Sequence, residues 1–285
     1  MLRDVDQIFK WIKGLFGVYK ESRDPFRAQA SRILQAFVAH GISPTQIARI
    51  VPEGMLKEPS SLADPSQLKK HLTSPFVTWV ADALKLEMSW LDGDEQTAHF
   101  LLESYKKPSR LLDKLSEIAD REESSLAIHV FKSNPLPLSH TPEGPFSVVL
   151  EERFLELDGK EVSRFYFLTE GATFDHSPCV THLLQICAIA HHLSVRVWGR
   201  VLGRKDLTAL WRMDGLIPEH FNCTIAKYWH PDDALWTGLT GDPGWKRRHQ
   251  AYLSESLVGD GMGWLAEELE IDRVRLSAMS HVGKV

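Results

Sequence analysis

The chain has 285 residues, 43% of them hydrophobic and 25% charged, with a formal net charge of −5 at pH 7. That composition suits a folded protein with a substantial core and excludes a collagen-like, low-complexity or strongly basic chain. Residues 1–120 hold 16 Lys/Arg and 16 Asp/Glu, so the whole acidic excess (17 against 22) lies in residues 121–285, and any basic surface must be a local patch. The three cysteines, at 179, 187 and 223, are too few and odd in number for a disulfide framework, which points to a reducing compartment. Asp4, Asp6, Lys10 and Lys13 break up any signal-peptide core, and no apolar run is long enough to span a bilayer. The expectation is a cytoplasmic protein without a membrane partner.

Residues 2–19 place Val5, Ile8, Phe9, Ile12, Leu15, Phe16 and Tyr19 at helical spacing, opposite Arg3, Asp6, Lys10 and Lys13. The pattern predicts an amphipathic helix, packed on its own domain or used for dimerisation; its mixed-charge polar face does not suit a membrane surface. A compact run of short helices follows. Ala30, Ile33, Leu34, Phe37 and Val38 line one face of a helix over 26–40, which Gly41 ends. Three further starts share one chemistry, a capping side chain followed by proline: Ser43-Pro44, Asp64-Pro65 and Ser74-Pro75. After the first two, Gln46 and Gln67 sit three residues on, in the capping-box position. Between them lies a longer connector, Glu53–Ala63, rich in loop formers.

Thr45-Gln46-Ile47-Ala48, followed by the stretch VADALKLEMSWL at 80–91, resembles the Cro/C1-type (lambda-repressor-like, or XRE) helix-turn-helix family over residues 27–93. Trp79, Val80, Ala81, Ala83, Leu84, Leu86, Trp90 and Leu91 follow that family's closing pattern. The recognition segment departs from it, because the connector 53–63 stands where the family has a tight turn. The resemblance implies an all-α helical domain that binds double-stranded DNA as a homodimer. In that role Gln46 and Arg49 meet phosphate, and Ser66, Gln67, Lys69, Lys70 and His71 face the groove. On the residues alone, Gln46 and Gln67 also read as capping partners and Lys69-Lys70 as a solvated face.

Residues 94–123 have the spacing of two helices, one over Glu95–Tyr105 and one after Pro108. From Ser125 the periodicity changes. Leu126–Phe131 reads as a strand, and Phe146–Leu157 and Val162–Thr169 flank Asp158-Gly159, a two-residue hairpin signal. A helix over 176–194 comes next. Val195–Leu202 and Leu207–Met213 suggest a second hairpin around Gly203-Arg204, then a loop-rich stretch (215–243) and two helices near 245–257 and 262–270. The fold expected is a helical domain (1–122) followed by an α+β domain (123–285) with an antiparallel sheet.

The most metal-like cluster is Asp175, His176, Cys179 and His182, with Cys187, His191 and His192 further on. At 100° per residue these side chains diverge, with Cys179 and Cys187 on the apolar stripe, so no metal site is expected. Glu151 and Glu152, adjacent on a strand, face opposite sides of the sheet. No nucleophile elbow, P-loop, dinucleotide fingerprint or H-E-x-x-H occurs, so neither catalysis nor a cofactor is expected. The tryptophans of the second domain are read as core residues rather than as a ligand pocket. The function expected is a DNA-binding transcription regulator whose second domain senses a ligand or dimerises. The alternative is a protein-interaction or scaffold protein with a degenerate helix-turn-helix that does not bind DNA.

Overall fold

The protein is described by a computed structural model over residues 24–121, 125–236 and 240–282; the amphipathic stretch 2–19 lies outside them. The fold is mixed α/β. No helix among the described residues is long and apolar enough to cross a membrane. The chain divides into two compact units, neither of them one continuous stretch. Unit 1 comprises residues up to Phe100 with Arg153–Phe165 and Met213–Glu219, and unit 2 the remainder. A single cut near residue 122 was the expectation; the division falls after Phe100, and the chain later returns twice to unit 1. Because Arg153–Phe165 is the tip of a hairpin, unit 1 is not purely helical.

Unit 1 starts with α1 (Pro25–Ala39), whose first turn is capped by the Asp24 carboxylate accepting from Arg27 N–H at 3.1 Å. Ala30, Ile33, Leu34 and Phe37 are buried along one face, as their spacing dictates. The helix α2 (Pro44–Ile50) has Gln46 Oε1 accepting from Ser43 N–H at 2.9 Å, the glutamine half of a capping box. The connector is not a free loop. It closes into a 3-10 helix (Pro59–Ala63) with Ser61 and Leu62 buried, then α3 (Pro65–Leu68), four residues long with Leu68 buried. The Asp64 side chain makes no capping bond, so the second expected capping box does not form. In α4 (Ser74–Leu84) the cap is Thr73, which accepts from Phe76 N–H at 3.4 Å, rather than Ser74. The short helix α5 (Met88–Asp92) completes the core with Trp90 and Leu91.

The helix expected over Glu95–Tyr105 does not form. Residues here are extended, with Leu86 bridged to His99, Thr97 to Asp214, and Leu101 to Phe167. The backbone donors find strand partners, Leu102 N–H reaching Phe167 O at 2.9 Å, so tertiary pairing overrides a helical spacing.

The remaining elements, in unit 2 except where β2, β3 and α9 run into the returning segments of unit 1, are α6 (Pro108–Ala119), β1 (Ser125–Lys132), β2 (Ser147–Leu157), β3 (Lys160–Phe167), α7 (Ser177–His192) and β4 (Arg196–Val201). The helices α8 (Arg204–Trp211) and α9 (Ile217–Phe221), strand β5 (Ile225–Trp229), a 3-10 helix (Pro231–Leu235), α10 (Pro243–Gly259) and α11 (Gly263–Val282) follow. The β2–β3 turn has Asp158 and Gly159 at φ 54° and 73°, the two left-handed positions of a type I′ turn. The sheet order is β3-β2-β1-β4-β5, with β4 parallel to β1 and antiparallel to β5. The antiparallel sheet expected is therefore corrected to a mixed one: α7 carries the chain back, so β4 enters in the same direction as β1. The second hairpin is also corrected. Gly203 takes an extended conformation as the N-cap of α8, whose buried Leu207 and Leu210 have helical spacing. The partner of β4 is β5, and only glycine fits at 199, where a Cβ would lie 2.2 Å from Trp229 O.

Glu151 and Glu152 do face opposite sides. Glu151 lies 2.8 Å from His129 Nε2, and Arg200 Nε reaches His129 Nδ1 at 3.3 Å. Glu152, fully buried, accepts from Arg121 at 3.0 Å and Tyr166 at 2.8 Å. Both arrangements satisfy carboxylates removed from water.

If the connector is part of the core, Leu62→Ala costs about 2–5 kcal/mol in urea unfolding. A loss under about 0.5 kcal/mol, the size of a surface substitution, shows that 59–63 is detached.

Candidate functional site

The DNA-contact residues expected in unit 1 lie on exposed or half-exposed positions, and most of them are held by partners in the same unit. The type I′ turn aims the Asp158 carboxylate at α2. Arg49 grips it with both terminal nitrogens, at 2.9 and 2.5 Å, and Gln46 Nε2 donates to it at 3.0 Å. These hydrogen bonds, first that from Arg49 and then that from Gln46, hold the Asp158 pKa at about 2. Lys69 Nζ sits 2.5 Å from the Asp24 carboxylate, and His71 Nε2 lies 3.6 Å from that of Glu58. Lys70 donates to Gln67 at 2.9 Å, and Ser66 is half-exposed on α3. Arg49, Lys69 and Lys70 are thus interleaved with Asp24, Glu58 and Asp158. Exposed pairs of this kind add little stability, but opposite charges at contact cancel the field that draws a phosphate backbone.

A different concentration of chemistry surrounds α7 in unit 2. From Val180 to Ala190 this helix is buried at nearly every position, as a helix apolar all round must be. Its polar side chains lie mainly towards the ends, where His176, Cys179 and His182 face one cleft and His191 and His192 face α11. At the first turn, His176 Nδ1 lies 3.2 Å from Cys179 Sγ. One turn on, His182 Nε2 lies 2.8 Å from Ser104 Oγ, which is also 3.3 Å from Leu168 O. Both pairs line one cleft of about 540 Å³, formed by 101–107, 168–172 and the first turns of α7. Burial holds His182 near pKa 4, so it stands neutral with a lone pair available, and the Tyr105 ring packs edge-on against it.

Cys179 is half-exposed on the cleft wall instead of joining the apolar stripe, which corrects the sequence expectation. Cys187 is buried, and that burial raises its thiol pKa. A thiol within hydrogen-bond reach of an imidazole, on the first turn of a sixteen-residue helix, places a nucleophile beside a base. Ser104 and Tyr105 have no motif that marks them in the sequence. The Ser104–His182 pair joins positions 78 residues apart, beyond any local spacing rule.

A wider cleft of about 780 Å³ lies past the ends of β1 and β4, lined in part by Asn134, Thr141, Asp175 and Arg204. Behind it Lys132 is fully buried; it donates to Thr141 Oγ1 at 2.9 Å and to Leu136 O, and lies 4.2 Å from the Trp229 ring. Burial lowers the Lys132 pKa to about 7. The lysine ties the 133–141 loop to the sheet.

No family model matches the chain, and no curated protein or solved structure does so either.

Burial also holds His40 of unit 1 near pKa 4, its Nδ1 donating to Ala36 O at 2.7 Å. For both imidazoles the native pKa lies below the ordinary 6.5. Between pH 6.5 and 4 the unfolded chain takes up protons that the native chain refuses. Their contribution to stability is therefore complete above 6.5 and lost as the pH falls towards 4. Denaturant midpoints across that window should fall, and less so in a His40→Gln, His182→Gln variant. In NMR titrations neither imidazole should titrate above about pH 5.

Proposed function

We propose that this chain is a ligand-binding protein whose second unit takes a small molecule in the cleft at the head of α7, engaging it through the Cys179–His176 pair. On this reading the helical unit is a degenerate lambda-repressor-like module, used for packing and for docking a protein partner. The observation that carries the reading is the half-exposed thiol beside an imidazole, in a cleft that also holds a neutral His182–Ser104 pair. His176 Nδ1 stands 3.2 Å from the Cys179 sulfur, the nucleophile that would engage an electrophilic ligand, while His182 and Ser104 offer a neutral acceptor and a hydroxyl. The sensing role once expected of the second domain keeps its support here, in a particular cleft.

Alkylation with iodoacetamide at neutral pH tests it directly. Cys179 should react about 10-fold faster than the exposed Cys223. His176→Ala should remove that advantage and leave Cys223 unchanged. If Cys179 in the folded chain reacts no faster than Cys223, the cleft has no activated thiol and the reading is lost.

Duplex DNA, with the homodimer that goes with it, is the partner implied by the resemblance. It draws support from the run of short helices α1–α5 and from the Ser43–Gln46 contact, and it needs a positive face that the pairing with Asp24 and Asp158 cancels. Anisotropy titrations of a labelled duplex should therefore show no steep salt dependence. Asp24→Asn with Asp158→Asn should raise affinity at low salt by uncovering Lys69 and Arg49. A regulator that reads DNA through this face gives the opposite result. The native chain then binds at low salt, and Lys69→Ala with Lys70→Ala lowers its slope of log K against log salt by about one to two units.

A further inference from the structure

The far end of α7 carries a second cluster that the cleft does not use. His191 projects towards α11, where Glu268 and Asp272 stand four residues apart and so share one face of that helix. One ligand atom from each of His191, Glu268 and Asp272 lies within 4.8 Å of the other two. We propose that these three side chains form a binding site for a first-row divalent cation of the Zn²⁺ type, and that His192 positions Glu268 within it.

The three side chains stand within reach of one ion. Around a tetrahedral ion with ligands at about 2.0–2.2 Å, donors stand about 3.3–3.6 Å apart. His191 Nε2 and Asp272 Oδ2 are 3.0 Å apart, slightly inside that spacing, and a Glu268 oxygen lies within 4.8 Å of the other two ligand atoms, so small side-chain rotations close the set. His192 Nδ1 lies 2.8 Å from Glu268 Oε2, the outer hydrogen bond that turns a ligating carboxylate towards its metal. The rings are held from outside as well: Trp236 meets His191 edge-on at 4.7 Å, and Trp264 meets His192 at 4.8 Å. Arg275 donates to the other oxygen of Asp272, Oδ1, at 3.3 Å, leaving Oδ2 for the ion. All four side chains are partly exposed, so the ion has a route in.

One imidazole and two carboxylates suit Zn²⁺, Mn²⁺ or Co²⁺ better than Ca²⁺ or Mg²⁺, which favour all-oxygen sets. Three protein ligands leave a coordination position for water. Binding requires the Nε2 lone pair of His191. The hydrogen bond between Nε2 and Asp272 in the metal-free chain is replaced by coordination of both atoms to the ion.

The test uses the full chain, stripped with a chelator that is then removed. Zn²⁺ is titrated by calorimetry, and Co²⁺ is followed by its visible absorption. One equivalent should bind. His191→Ala should abolish the site, and the isosteric Glu268→Gln and Asp272→Asn should each weaken it by at least about 10-fold with the helical circular dichroism unchanged. His192→Ala should weaken it by about 10-fold without changing the stoichiometry. Cys179→Ala with His176→Ala should leave it intact, which separates this site from the thiol cleft. Absence of binding overturns the proposal. So does binding that survives Asp272→Asn and Glu268→Gln but is lost in Cys179→Ala with His176→Ala.

Discussion

The chemistry of unit 2 follows from the burial of α7. From Val180 to Ala190 almost every side chain of this helix is removed from water, and a polar group there must find a partner or destabilise the fold. Gln185 shows the rule, its amide donating to Ser256 at 3.0 Å and Asp260 at 2.9 Å. Unpaired or mobile polar groups are tolerated only near the helix ends. That is where His176 and Cys179 stand at one end, and His191 and His192 at the other, while the buried His182 obeys the same rule as Gln185 through Ser104 at 2.8 Å. The two candidate sites are thus consequences of one buried rod, with the strand β4 and the helices α6, α10 and α11 against it.

The same principle of local satisfaction explains why the helical unit contributes less to the functional reading than its sequence promises. A phosphate backbone is recognised first through its charge, and the relevant quantity is the field left over after a protein has paired its own ions. Asp158 is decisive here. The Asp-Gly dipeptide was read only as a turn signal, and it is one. But a type I′ turn presents the aspartate outward, and this one is close enough to α2 to hold Gln46 and Arg49 together. A residue chosen for its backbone conformation therefore also sets the electrostatics of a surface 109 residues earlier in the chain.

Much of the fold was legible because it is local. The apolar stripes of α1 and α4, the glutamine cap of α2, the Asp-Gly hairpin and the opposed glutamates of β2 each depend on neighbours within a few residues. The failures have a common cause. The extended stretch 95–102 has apolar residues at helical intervals but pairs with distant strands. Val195–Leu202 was read as half of a hairpin because its parallel partner, β1, is reached only through α7. The connector 53–63 has a loop's composition, yet it is drawn into the core by Leu62. In each case a non-local contact supplied what the local pattern lacked.

The candidate sites divide along the same line. The structure brings His176, Cys179 and His182 to one cleft and sends only His191 and His192 to separate partners on α11, so the divergence expected from helical spacing holds for part of the set. Divergence within α7 excludes a metal held by that helix alone, but says nothing of ligands supplied by other elements. A helix that spreads its ligating side chains around its axis cannot build a site by itself, but it is well placed to contribute one ligand to several sites. Ser104 meets His182 from 78 residues away, and Asp272 meets His191 from 81. For a buried helix with polar ends, the informative question is which elements of the fold face those ends. That depends on the path of the chain through β4 and the α10–α11 pair, and the spacing of residues within α7 carries no record of it.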